Sequence, residues 1–365
     1  MLQIIIFALV AIGILAVTHV FLFFSFIKFF AVESVKIRYF IGGVLIFLPL
    51  GLVCAQILSH FYDTYFSRCI FYLFNLWFGT LTALLTFFVI AWILAIAGKF
   101  FRVNLPLFAI GSIILTLSIV YTAYGIWNAY HPIVRHITVK IKDLPEEWKG
   151  KRVVQASDIH LGFIWGEAFF HGLIKNINAQ KPEAVFLTGD LFDGTGDRFD
   201  YVANDLSKLI APKGSYFITG NHETYFGIEK SYALLKNSGV TILRDEVKNV
   251  DGLQIVGINF ENKKVADTLA KMPGYDKNGP SILLYHEPAR TDEAKASGIK
   301  LQLSGHTHAG QIFPYGFITS LYYSGLDYGL HQNGDYALYT SSGAGTWGPA
   351  MRVGTNSEIV VITLE

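Results

Sequence analysis

Histidine, aspartate and asparagine side chains recur in this sequence directly after short apolar segments of strand length. Five such places contribute eight side chains able to bind a metal ion: Asp158, His160, Asp190, Asn221, His222, His286, His306 and His308. Imidazole and carboxylate ligands without thiolate suit manganese, iron or zinc in a catalytic site. Seven ligands exceed what one four- to six-coordinate ion accepts, so the set predicts two divalent ions roughly 3.5–4 Å apart.

Such a pair of ions can hold a bridging hydroxide as nucleophile and neutralise charge on both oxygens of a displacement at phosphorus. A histidine left over beside the ions can protonate the leaving alkoxide. The chain's two cysteines, Cys54 and Cys69, both lie in its first third. A cysteine nucleophile in the rest of the chain is therefore excluded, and metal-dependent hydrolysis of a phosphoester is favoured.

A mixed α/β sheet is needed to gather these side chains, because ligands bind outside the carboxyl ends of parallel strands. Apolar segments predict strands directly before the motifs, over residues 151–157, 184–188, 215–219, 281–285 and 300–303. Further strands are predicted over 135–141, 253–258, 336–340 and 358–364, and helices over 167–179, 199–209, 229–237 and 263–271. The motif residues are thus predicted to meet at one edge of the fold.

The first third has a different composition. Residues 1–130 hold only eight charged side chains: Lys28, Glu33, Lys36, Arg38, Asp63, Arg68, Lys99 and Arg102. Four uncharged runs lie between them, over residues 2–27, 39–62, 69–98 and 103–134. Each run exceeds the roughly 20 residues that cross a bilayer, and only helices satisfy their own hydrogen bonds there. We therefore expect a four-helix transmembrane anchor over 1–130, a linker and first strand over 131–150, and a catalytic domain over 151–365.

The charge pattern bears on orientation and on partners. Basic residues concentrate in cytoplasmic loops, and five of them flank the first and third connections: Lys28, Lys36, Arg38, Lys99 and Arg102. The second connection has Arg68 alone, which predicts a multi-pass cell membrane protein with an extracytoplasmic catalytic domain. Three basic residues after the last run favour the opposite orientation: Arg135, Lys140 and Lys142. No basic stripe with interleaved aromatic residues is present after residue 130, so nucleic-acid binding has little support.

The motifs resemble those of a known superfamily. The order Asp158-x-His160, Gly189-Asp190-x-x-Asp193, Gly220-Asn221-His222-Glu223, His286 and Gly305-His306-x-His308 is similar to that of the calcineurin-like metallophosphoesterases. The segments 305–311 and 345–352 resemble its membrane-associated bacterial branch, which includes proteins similar to UDP-2,3-diacylglucosamine hydrolases and to cell-wall-associated phosphoesterases. The related eukaryotic proteins are called transmembrane proteins with metallophosphoesterase domain.

The resemblance implies a four-layer α/β/β/α sandwich with a dimetal site at one end, and it implies a role for each motif residue. Asp158, His160 and His308 would hold the first ion. Asn221, His286 and His306 would hold the second ion, and Asp190 would bridge the two. His222 would be the general acid, oriented by a carboxylate. Glu223 is the obvious sequence neighbour, though the partner in the family is often an aspartate elsewhere in the chain. Asp193 fills a second acidic position without an assigned role.

Two functions remain open at this point. The first is hydrolysis of a phosphodiester or pyrophosphate bond in a phosphorylated small-molecule, lipid-linked or envelope-related substrate. It is favoured by aromatic residues after the first and last motifs, which could form an apolar rim at the bilayer: Phe163, Ile164, Trp165, Phe169, Phe170, Phe313, Tyr315, Phe317, Tyr322 and Tyr323. The alternative is a membrane sensor or scaffold with a structural metal site. The general-acid histidine argues against the alternative, because a structural site does not need one.

Overall fold

The computed structural model describes residues 2–194, 198–262 and 264–365. The chain forms two compact units, Met1–Trp127 and Asn128–Glu365. Four long helices build the first: α1 (Leu2–Phe29), α2 (Val35–Phe61), α3 (Tyr65–Phe100) and α4 (Leu107–Ala129). All four are long and apolar enough to cross a membrane, so the chain is a multi-pass membrane protein. Cys54 and Cys69 are free and exposed.

Polar side chains inside the first unit pair with one another across the helices. His19 on α1 accepts a hydrogen bond from the indole of Trp77 on α3 at 3.2 Å. Gln56 on α2 donates to Asn75 on α3 at 3.3 Å. Pairing of this kind is required because the bilayer offers no water to satisfy a polar group. These polar residues therefore join α3 to α1 and to α2.

Two six-stranded sheets form the second unit. The strands are β1 (Ile133–Val139), β2 (Arg152–Ala156), β3 (Ala184–Leu187), β4 (Ser215–Phe217), β5 (Thr241–Ile242), β6 (Glu246–Val250), β7 (Leu253–Gly257), β8 (Ser281–Leu284), β9 (Leu301–Ser304), β10 (Gly329–Asn333), β11 (Tyr336–Thr340) and β12 (Glu358–Leu364). The helices are α5 (Glu167–Ala179), α6 (Asp200–Leu206), α7 (Asn221–Phe226), α8 (Ile228–Leu235), α9 (Val265–Lys271), α10 (Thr291–Ala296) and α11 (Tyr315–Tyr322).

Strand order explains how the motifs come together. The first sheet has the order β1-β12-β2-β3-β4-β5, and the second has the order β10-β11-β9-β8-β7-β6. Strands β2, β3 and β4 are parallel neighbours, as are β8 and β9. Each of these five strands is followed by one of the motifs. Because the carboxyl ends of parallel neighbours lie at the same edge, each sheet presents its motifs together.

The two sheets pack face to face over one hydrophobic core. Phe186 of the first sheet and Ile255 and Leu284 of the second belong to this core and are fully buried. Alternate residues of the second sheet, such as Val256, point to its other face. There they pack with helices α9 and α10 in a separate hydrophobic cluster that includes Val265. This alternation gives the layered sandwich expected from the resemblance, with two sheets inside and helices outside.

Several elements were not predicted from the sequence. Helices α7, α10 and α11 and strands β5, β6 and β10 lie in segments taken as connections. All are short. In β6 and β10 several residues are exposed, so apolar and polar side chains do not alternate clearly along these strands. The predicted elements themselves are present with small shifts at their ends, such as β1, which begins two residues before the predicted 135–141 strand.

Candidate dimetal site

The motif residues lie two to five residues after the ends of their strands, and several have strained backbones. Asp158, His160 and Asp190 have φ of 52°, 54° and 53°, and His306 and His308 have φ of 74° and 51°. Residues other than glycine seldom adopt this left-handed conformation, which costs about 1–3 kcal/mol each and persists where the surroundings over-determine it. Its concentration here shows that chain direction reverses sharply to turn these side chains toward one another.

Three of the predicted ligands form a first cluster. Ligand atoms of Asp158, His160 and His308 lie within 4.8 Å of one another. The Nε2 atoms of His160 and His308 are 3.0 Å apart, and Nε2 of His308 is 3.5 Å from Oδ1 of Asp158. The two sheets thus contribute jointly, since the first two residues follow β2 and His308 follows β9.

A second cluster lies beside the first. Asp190, His286 and His306 also have ligand atoms within 4.8 Å of one another. Nε2 of His286 is 3.1 Å from Oδ2 of Asp190, and Nδ1 of His306 is 2.8 Å from Oδ1 of Asn221. The same Oδ2 of Asp190 lies 3.9 Å from Nε2 of His160 in the first cluster. Asp190 therefore lies between the two clusters, where a bridging ligand is required.

The donor chemistry of these clusters fits divalent ions. His286 donates its Nδ1–H to the carbonyl of Thr188 at 2.7 Å, which leaves a lone pair on Nε2. That Nε2 is fully buried without a hydrogen-bond partner. Burial lowers the pKa of His160 to about 4, so its imidazole is neutral and able to act as a ligand. Burial opposes the charged form of His286, but the charge of Asp190 and the contact with it raise the pKa of His286 to about 10. The carboxylate that favours a proton at Nε2 would equally favour a divalent ion there.

His222 differs from the other histidines of the site. Its Nδ1 lies 2.9 Å from Oδ1 of Asp193, and its side chain is 12 % exposed. Burial opposes the charged form, but the hydrogen bond to Asp193 and the charge of Asp190 raise the pKa of His222 to about 9. Its ring centroid is 4.6 Å from that of His160. A protonated, partly accessible imidazole therefore stands beside the metal clusters.

Comparison with known proteins agrees with this geometry. Residues 151–310 match the family described as calcineurin-like phosphoesterase. An uncharacterized metallophosphoesterase of Campylobacter jejuni is 34% identical over 337 residues, with 88% of each chain covered. A metallophosphoesterase of Aquifex aeolicus is 31% identical, covering 68% of this chain and 98% of the relative. The chain belongs to the calcineurin-like metallophosphoesterase family.

A third relative is named as a membrane protein. It is the transmembrane protein with metallophosphoesterase domain of Danio rerio, 32% identical over 270 residues, covering 69% of this chain and 62% of the relative. The predicted family is thus confirmed, and the protein is a metal-dependent phosphoesterase. The narrower likeness to UDP-2,3-diacylglucosamine hydrolases stays a prediction.

Within this metallophosphoesterase, Glu223 does not orient His222. Its carboxylate accepts four backbone N–H groups, from Asp190, Leu191, Phe192 and Gly220, at 2.7–3.0 Å. It thereby fixes the loop that carries Asp190 against the start of α7. Of the two alternatives for the partner of His222, the structure has the aspartate, Asp193. Glu223 does not reach the imidazole because consecutive residues on a helix point about 100° apart.

Sequence reasoning missed two contributors to the site. Asp193 was seen without a role, and only its contact with His222 across the two loops supplies one. Arg352 was seen as part of a family-like tail, yet its guanidinium lies against the ring of His308. Both residues lie within segments that resemble family motifs, and this was the only indication of a role in the sequence. Their partners could not be predicted, because His222 is 29 residues from Asp193 and His308 is 44 residues from Arg352.

Proposed function

We propose that this metallophosphoesterase hydrolyses a phosphodiester or pyrophosphate bond, with His222 as general acid and two divalent ions in the described clusters. The observation that carries the proposal is the His222–Asp193 pair beside both clusters. The ligands would be Asp158, His160 and His308 for one ion, and Asn221, His286 and His306 for the other, with Asp190 between them. When bound, such ions supply a nucleophile at neutral pH and offset negative charge on phosphoryl oxygens.

The protein's own groups have separate tasks in this proposal. Asp193 accepts the Nδ1–H of His222, which leaves Nε2 to carry the proton toward the leaving oxygen. Asp190 accepts the backbone N–H of His222 at 2.8 Å, so it also fixes where α7 begins. The proton donor and the bridging ligand are therefore held in one rigid arrangement.

A direct test uses the full chain in detergent with bis-p-nitrophenyl phosphate as substrate. His222→Ala should bind two ions per chain, as the unchanged protein does, and lose most hydrolysis. General acid–base groups contribute about 10²–10⁴-fold to rate. Full activity of His222→Ala would overturn the assignment of the acid.

We further infer that the substrate is lipid-linked, and an apolar surface beside the site supports this. Residues 309–326 contain no Asp, Glu, Lys or Arg, and α11 within them buries no side chain. Exposed residues of α11 and of the turn before it form what we call the α11 surface: Phe313, Phe317, Ile318, Leu321 and Tyr322. The next residue, Tyr323, packs its ring 6.3 Å from that of His306. The surface thus begins at the second cluster.

Two residues of the predicted aromatic rim are buried, whereas Phe163, Ile164 and Phe169 are half-buried. Trp165 and Phe170 are fully buried, and the indole of Trp165 bonds Thr346. Their expected contact with lipid is wrong, because both pack in the interior where alanine would leave a cavity. The most exposed part of the predicted rim is therefore the α11 surface, to which we assign apolar contact with a substrate chain.

Matched variants separate lipid recognition from chemistry. Phe317→Ala with Leu321→Ala should weaken turnover of a lipid phosphodiester in mixed micelles and spare bis-p-nitrophenyl phosphate. Ile210→Ala is the control, because Ile210 is 67% exposed and precedes β4 at its amino end, opposite the motifs. Equal loss with both substrates would exclude a lipid-binding role for the α11 surface.

A further inference from the structure

Arg352 is a buried cation whose role the ligand set does not explain. It lies between β11 and β12 and is 0% exposed. Its guanidinium donates to the carbonyls of Ser342, Gly343 and Gly345 and to that of His308. Among the described residues, no carboxylate lies within ion-pair distance of it. Removing a guanidinium from water costs several kcal/mol. The carbonyls and the more distant charges of Asp158 and Glu358 offset this cost, and Asp158 is itself a predicted metal ligand.

The guanidinium also contacts a predicted ligand directly. One of its terminal nitrogens is 3.1 Å from Nδ1 of His308, and the other donates to the His308 carbonyl at 3.3 Å. The guanidinium therefore lies on the side of the ring opposite Nε2, the atom that faces Asp158 and His160. A guanidinium only donates hydrogen bonds, so its contact at Nδ1 does not fix the Nδ1–H tautomer that metal binding through Nε2 requires. The bond to the backbone carbonyl is what holds His308 in place.

The carbonyls that Arg352 binds belong to a loop that holds the other side of the same cluster. In that loop, Gly345 donates its N–H to the carbonyl of Asp158 at 2.9 Å, and Ala344 donates to Ser157 at 2.8 Å. A Cβ on Gly343 would lie 2.7 Å from Cβ of Asp158. The loop and Asp158 are thus in close backbone contact, and the loop's own carbonyls face the guanidinium.

We propose that Arg352 is a positioning residue for the first metal cluster, joining Asp158 of one sheet to His308 of the other. Its planar fork binds the loop behind Asp158 and the backbone of His308 at once, which a point-like ammonium cannot do. Among the described residues it makes no contact with Asn221, His286 or His306. Its loss should therefore weaken one ion and not the other. The inference rests on the proposed ligand set.

The test is a Mn²⁺ titration of the full-length, chelator-stripped protein in detergent, followed by electron paramagnetic resonance. The unchanged protein should bind two ions, and the second should replace the mononuclear spectrum by that of a spin-coupled pair. Arg352→Met should bind the first equivalent normally and the second about 10–100-fold more weakly, as changes next to metal ligands do. Its spectrum at two equivalents should stay mononuclear.

Two further variants identify the cause. Arg352→Lys keeps the charge and loses the fork, so it should behave like Arg352→Met; restored pairing in it would show that charge alone matters and overturn positioning. Adding His306→Ala to Arg352→Met should remove the remaining tight ion. Arg244→Met is the matched control, because Arg244 stacks on Tyr232 away from both clusters, and it should titrate normally.

The outcomes separate the inference from the proposed function. Two equally tight ions in both Arg352 variants, or tighter binding in them, would overturn the positioning role and leave the ligand set intact. Fewer than two ions in the unchanged protein would overturn the ligand set and the inference with it. If Arg352→Met does not fold, Arg352→Lys alone decides the result.

Discussion

Replacing Glu223 by glutamine tests how rigidly the site is built. Each carboxylate oxygen of Glu223 accepts two backbone N–H groups: Oε2 from Asp190 and Gly220, and Oε1 from Leu191 and Phe192. Glutamine has the same shape, but one of its two positions is an amide nitrogen that cannot accept. Two buried N–H groups therefore lose their acceptor.

The expected cost follows from that count. A buried donor without a partner costs about 1–3 kcal/mol, so two predict a loss of roughly 2–6 kcal/mol in the free energy of unfolding. Burial and the charge of Asp190 raise the pKa of Glu223 to about 7, while the backbone donors of Phe192 and Gly220 favour the carboxylate. Because this folded-state pKa lies above the unfolded value of 4.5, the contribution of Glu223 to stability falls as pH rises through about 7. The loss in Glu223→Gln should therefore be larger at pH 5 than at pH 8.

Hydrogen exchange with mass spectrometry on the full chain in detergent measures this locally, together with thermal unfolding. Peptides covering residues 189–193 should lose protection in Glu223→Gln. The exposed Glu147→Gln is the control and should change nothing. Unchanged protection at residues 189–193 together with unchanged unfolding would refute the idea that four backbone donors hold this loop.

Three other results are expected. Asp193→Asn removes a group that raises the pKa of His222 to about 9. Because a general acid works only below its pKa, the pH above which the rate falls should move down toward or below 6.5. An unchanged pH profile would contradict the pairing of His222 with Asp193. Gly305→Ala places a Cβ 2.1 Å from Oδ2 of Asp158, so the metal content measured by elemental analysis should fall by at least one ion per chain. Unchanged metal content would show that the loop moves to accommodate the methyl group without displacing Asp158. Protease added to intact spheroplasts should cleave the catalytic unit if the loop charges set an extracytoplasmic orientation, whereas protection until lysis would place the unit in the cytoplasm.

Much of the site could be predicted from the sequence because it depends on local rules. A ligand directly after an apolar strand is placed by the strand, and parallel neighbours such as β2 and β3 bring Asp158 and Asp190 to one edge. The four membrane helices are equally local, since length and hydropathy alone define them. These predictions needed no knowledge of how distant loops meet.

The parts that failed depend on contacts between loops. The partner of His222 is set by the meeting of the β3 and β4 loops, which no spacing encodes, so the sequence could not decide between the chain neighbour Glu223 and an aspartate elsewhere. The burial of Trp165 was missed for a similar reason, because it packs against Tyr130 and Thr346, which are distant in the chain. The helix α11 was missed because its exposed apolar face carries no amphipathic pattern facing a core.

The most direct test of the account is the combined metal content and phosphodiester hydrolysis of one variant, His222→Ala, beside the unchanged full-length protein. The account predicts two divalent ions per chain in both proteins, and hydrolysis of bis-p-nitrophenyl phosphate reduced about 10²–10⁴-fold in the variant alone. Two ions with undiminished hydrolysis in the variant, or no hydrolysis by the metal-loaded unchanged protein, would contradict it.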